Sequence, residues 1–167
     1  MYPNELLRGI SNDNCIDEFG YPASNLFTFD NSSQQRTDGY KEESVTWRDD
    51  EKAVSILLNQ KKEDGQIQFK IGVAVLSRHE IDRLIRVEWV RQSLSYEREK
   101  TPENKYHGNL LLKVDVPKRV KKKIMAQIAC FASDNPIITR NEAKPVNSSW
   151  WKNISSICKW VYIPFQH

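Results

Sequence analysis

Ile67, Phe69, Ile71, Val73 and Val75 alternate through residues 67–76, and no other stretch constrains the fold as tightly. A two-residue period puts all five side chains on one face of a strand. The opposite face changes from polar (Gln68, Lys70) to small and apolar (Gly72, Ala74). The later half of this strand is therefore expected to be covered on both sides, as a central strand is. Such a strand needs partner strands and helices packed on the sheet.

The neighbouring segments supply both. Ser44-Val45-Thr46-Trp47 is rich in β-branched and aromatic residues and reads as a strand. Acids at 49, 50 and 51 follow it, with Thr46 and Asp49 in a variant capping-box spacing. Val54, Leu57 and Leu58 then share a helical face, Lys61 and Lys62 fall in the expected last turn, and Asp64-Gly65 stops it. Ser77-Arg78-His79-Glu80 is a full capping box opening a helix with Ile81, Leu84 and Ile85 inward. Residues 87–94 are expected to return as a strand through Val87 and Trp89, and residues 96–106 to form a loop. Leu110, Leu112 and Val114 alternate, Pro117 opens a helix, and Val120, Ile124, Ile128 and Phe131 form its apolar stripe. Leu26-Phe27-Thr28-Phe29 reads as a short strand. The expected architecture is a single α+β domain, a mixed β-sheet with about three helices packed on it. Residues 1–134 make its core, 135–149 a connector, and 150–167 an aromatic C-terminal segment docked on the core or on a partner.

At 167 residues the chain has the size of one domain. Its start carries no apolar run of the secretory kind, and the strongly apolar stretch 71–76 is far shorter than the ~20 residues of a membrane span. The Asn-x-Ser triplets at Asn31, Asn147 and Asn153 are accordingly read as chance matches. Cys15, Cys130 and Cys158 are widely spaced, and His79, His107 and His167 stand apart. Zinc sites recruit closely spaced ligands, so three buried or idle thiols, no metal, no cofactor and a cytoplasmic location are expected.

Charge is unevenly distributed. Residues 1–64 hold seven Lys/Arg against thirteen Asp/Glu, a balance of −6; the remainder holds eighteen against nine, or +9, for +3 overall. The excess concentrates in Lys118, Arg119, Lys121, Lys122 and Lys123, placed opposite the apolar stripe of the last helix, with Lys113 on the strand before it. An anionic partner relieves such repulsion, and phosphate binding also releases counterions. Plain solvation of a surface helix, or neutralisation by the acidic N-terminal half, is the competing explanation.

The tail is the second feature. Trp150, Trp151 and Trp160, three of the five tryptophans, fall in the last 18 residues together with Ile154, Ile157, Val161 and Phe165. Each such side chain gains roughly 1.5–3 kcal/mol on burial, so the segment is expected on the core, on a protein partner or second copy, or at a membrane surface, for which Lys152 and Lys159 make only a weak basic face.

Two family resemblances bear on catalysis. Leu6-Leu7-Arg8-Gly9-Ile10 resembles the arginine strand of arginine-type ADP-ribosyltransferases, which implies that Arg8 holds a dinucleotide's phosphates. Ser93-Leu94-Ser95 and Glu97-Arg98-Glu99 resemble that family's serine and Glu-x-Glu elements, although the family carries these on separate strands and here one residue divides them. Gln68-Phe69-Lys70 is similar to the end of a metal-dependent nuclease core, with Asp49, Asp50 or Glu51 as the implied metal carboxylate. His107, between Tyr106 and Gly108, reads as a hydrogen-bonded turn residue rather than a general base. The ranking places first a non-catalytic intracellular binding or accessory protein that engages an anionic partner, nucleic acid foremost, through the basic helix. A protein–protein interaction subunit without nucleic acid comes second, and an enzyme of either resembling kind last.

Overall fold

The computed structural model describes residues 4–29 and 38–140. Five strands form one sheet in the order β3-β1-β2-β5-β4, with β1 at Glu5–Ile10, β2 at Tyr40–Trp47, β3 at Gly72–Ser77, β4 at Leu94–Arg98 and β5 at His107–Lys113. Three α-helices complete the α+β domain: α1 at Glu51–Asn59, α2 at Arg78–Arg86 and α3 at Lys118–Ser133. All four pairings are antiparallel, so the sheet is not mixed.

Strand parity divides the interior in two. Leu6 and Ile10 of β1, Val45 of β2, Leu110 and Leu112 of β5 and Leu94 of β4 bury against Ile81 and Leu84 of α2 and Ile124 and Ile128 of α3. Leu7 of β1 with Val73 and Val75 of β3 buries on the other side against Ala53 and Leu57 of α1, Phe69 and Tyr106. The sheet is thus sandwiched, with α2 and α3 on one face and α1 on the other. Phe69 lies flat on Gly9, where a Cβ would collide with the ring; only glycine lets the two layers meet there.

Residues 67–76 behave differently from their pattern. Regular pairing begins only at Gly72, and β3 is an edge strand rather than a central one. Its residues Gly72, Val73, Ala74, Val75 and Leu76 are nevertheless all buried, because helices cover both faces. Residues 67–71 are a bent connection anchored by loop contacts: Lys61 bridges Ile67, and the Gln68 N–H donates to the Gln60 carbonyl at 2.9 Å. The outer edge of β3 is covered at one point, where Val73 and Ile138 exchange two backbone hydrogen bonds of 2.9 Å.

Other expectations shift as well. Ser24–Phe27 is a 3-10 turn that buries Leu26 and Phe27, not a strand. The cap of α1 is Asp50, not Thr46 with Asp49, and α1 ends at Asn59, before Lys61 and Lys62. Ser77 is the N-cap of α2 but makes no side-chain capping bond. Residues 87–93 form turns, and the strand begins only at Leu94 and runs to Arg98, into the stretch expected to be a loop. Cys15 is a free thiol, whereas Cys130 on α3 is disulfide-bonded, which overturns the reading of three idle thiols and removes its support for a reducing compartment. Among the described residues no helix is long and apolar enough to cross a membrane.

Candidate functional site

The basic helix is best understood through its angular layout. At 100° per residue, Ile124, Ile128 and Ala132 define the inward direction of α3, and all three are buried. Lys118, Arg119, Lys122 and Lys123 fan across the outward side and are exposed. Lys121 does not join them: it falls in line with Ile124 and Ile128 on the buried stripe and is half-buried. Lys113 also departs from the group. It shares the parity of Asn109 and Leu111, not that of the buried Leu110 and Leu112, and so leaves the sheet on the face opposite α3.

The start of α3 is electrostatically unusual. Pro117 occupies the N-cap with no side-chain capping bond, and no acid stands in the first turn. The helix dipole already makes this end positive, so cations here are disfavoured rather than compensated. Among the described residues, no carboxylate lies within ion-pair distance of Lys118, Arg119 or Lys122, in contrast to Arg8 with Glu43, Arg48 with Glu5, Arg83 with Glu80 and Arg98 with Asp49.

Trp89 borders this face, although its sequence context suggested an inward strand residue. It is 44% exposed, and the Lys123 ammonium stands 5.9 Å from its ring centroid. The turn carrying it is fixed from below by Val90, which is fully buried. The signal was present as a three-residue spacing: Ile81, Leu84, Val87 and Val90 continue the helical period past the end of α2, leaving Trp89 outside.

The catalytic alternatives fare otherwise. The Arg8 guanidinium pairs with the buried Glu43 carboxylate and also donates to the Leu26 and Ser44 carbonyls at 3.4 and 3.3 Å. Glu97 and Glu99 belong to the far edge, with β2 and β5 between, which at about 4.8 Å per strand spacing is roughly 14 Å of sheet. Arg8 and the Glu-x-Glu element are therefore not brought together. In the nuclease-like set, Asp49 pairs with Arg98 while Asp50 is bound to the backbone of α1, and Lys70 is exposed on a loop. No three His, Cys, Asp or Glu side chains converge as a ligand group among the described residues.

A cavity of about 280 Å³ opens on the α1 face, with Leu7, Leu57 and Phe69 at its base and Thr46, Gln60 and Asn104 among its polar walls. His107 also lines it, and its Nδ1 donates to the Glu99 carbonyl at 2.7 Å, the hydrogen-bonded role expected of it. This cavity and the cations of α3 lie on opposite sides of the sheet. Trp150, Trp151, Trp160 and Phe165, the candidate partner-binding residues, lie outside the described residues.

Compared with known proteins, the chain matches no family model, no curated protein and no solved structure.

Proposed function

We propose that this is a non-catalytic binding protein that holds nucleic acid across the outward side of the first turns of α3. The observation that carries the reading is the arrangement of Lys118, Arg119 and Lys122: exposed, without a carboxylate within pairing distance among the described residues, and gathered at the already positive end of a helix that no side chain caps. Solvation alone does not favour that end, since cations are stabilising in a last turn and costly in a first. A phosphate backbone converts the cost into binding energy, through charge-assisted hydrogen bonds and the release of condensed counterions. The helix N-terminus adds its own free N–H groups to the same surface.

The test is the triple reversal Lys118→Glu, Arg119→Glu, Lys122→Glu, titrated with labelled oligonucleotides at several salt concentrations. Lys121 is left untouched because it lies in line with the buried stripe. Wild type should bind more weakly as salt rises, each single reversal should lower the slope of log K against log salt by about one, and the triple should remove binding. Unchanged affinity and slope in the triple variant would sink the reading. Polyglutamate is the control, and tighter binding of it than of oligonucleotide assigns the surface to an acidic protein instead.

A further inference from the structure

We infer that the α3 surface takes unpaired rather than duplex nucleic acid, with Trp89 as the platform on which a base stacks; the inference rests on the reading just given. Trp89 is one of three large hydrophobic side chains exposed among the described residues, the others being Phe19 and Val114, and it alone stands against a cation of α3. Its position is built rather than incidental. The Val87 N–H donates to the Leu84 carbonyl at 3.1 Å, the Val90 N–H to the Val87 carbonyl at 2.9 Å, and the Ser93 N–H to the Val90 carbonyl at 2.8 Å. Gln92 takes a left-handed φ of 67° to close the turn. These bonds and the buried Val90 hold the indole out while Arg86 and Arg91 stand exposed on either side of it in the chain, with Glu88 the carboxylate of the turn.

This combination suits a single strand. Its phosphates can follow the cations while a splayed base lies on the indole, and stacking is tolerant of sequence because every base has a π face. A duplex presents no base face to Trp89. Nor does α3 carry the side chains that read a groove: past Lys123 its outward side continues with Ala126, Cys130 and Ser133, not the Arg, Asn and Gln that make paired contacts to base edges.

The experiment compares the full chain with Trp89→Ala, Trp89→Phe and the triple reversal, using oligo(dT), oligo(U) and a mixed-sequence duplex. Thermal unfolding of each variant checks that the exposed substitutions leave the fold intact. Wild type should prefer the single strands, Trp89→Ala should weaken them roughly 5- to 150-fold, and Trp89→Phe should restore most of the loss. The salt slope should stay unchanged in Trp89→Ala, because stacking releases no counterions; a merely structural role for the indole would disturb the cation layout and move it. Single-strand affinity equal to wild type in Trp89→Ala, or a preference for duplex, overturns the inference. If the triple reversal abolishes binding while Trp89→Ala does nothing, only the stacking role fails; if wild type binds none of the three probes, or the triple binds as wild type does, the nucleic-acid reading fails with it.

Discussion

The N-termini of α1 and α3 receive opposite treatment. At α1, Asp50 Oδ1 accepts from the Lys52 and Ala53 N–H groups at 2.9 and 3.2 Å, Glu51 adds a negative charge to the first turn, and the Tyr106 hydroxyl donates to Asp50 Oδ2 at 2.7 Å. At α3 there is no cap, no acid and a fan of cations. The first terminus follows the rules for a stable helix, and the second breaks them without collapsing. The difference lies in packing: α1 buries only Ala53 and Leu57, whereas α3 buries Ile124, Ile128, Ala129 and Ala132 over sixteen residues. A helix so firmly held by its inner stripe tolerates an unfavourable first turn, which leaves that turn free for something other than stability.

If this contrast is right, four measurements rank in a definite order. Ile128→Ala should cost about 2–5 kcal/mol in denaturant unfolding, since the side chain is fully buried between α3 and the sheet; a loss under about 1 kcal/mol would show that packing does not hold α3. Asp50→Ala should lower the midpoint by less, yet clearly, because it strands two N–H groups and a tyrosine hydroxyl, and Asp50→Asn should recover the capping part of the loss. Arg119→Glu should raise stability, by about 0.3–1 kcal/mol, by placing an acid where the dipole wants one. A fall in stability there would mean that the first turn of α3 is already compensated.

The fourth measurement uses acid. The Tyr106 hydrogen bond, with the two backbone N–H groups, holds the Asp50 carboxyl below its usual range, against a smaller opposing effect of burial. Its stabilising contribution is therefore complete above the unfolded-state value and disappears as pH falls through the lower folded one. Asp134, at the C-cap of α3, is pushed up instead, by burial first and by the Glu80 charge second. Protonating it relieves the fold, so this group opposes stability once ionised, and Asp134→Asn should be modestly stabilising at neutral pH. Unfolding curves between pH 2 and 7 should show Asp50→Asn flattening the acid limb and Asp134→Asn steepening it; parallel curves would remove the contrast.

Periodicity was the legible part of the sequence. The stripe of α3, the helix after Ser77 and the strand ending at Lys113 all follow from local spacing. Residues 67–71 mislead because their alternating composition does not keep them in the sheet; they bend away from it, and the burial of Phe69 against Gly9 depends on a layer that local pattern does not describe. Trp89 fits a period of two only in isolation, since its neighbours carry a period of three. Lys121 adjoins the outward cations in sequence, but one residue is 100° of rotation. The Arg8–Glu43 pair joins positions on separate strands, and only folding reveals it. Asp50, the true cap, was one of three consecutive acids between which local sequence does not choose.

The two rims of the sheet also matter for anyone handling this molecule. Ile138 occupies the backbone of β3 at Val73, and β4, five residues long, ends in Glu97 and Arg98 at the opposite rim. Amyloid-like growth needs a long, flat, uncharged ribbon to template on, and neither rim of the described sheet supplies one. Concentrated samples should accordingly resist fibril growth through these two rims.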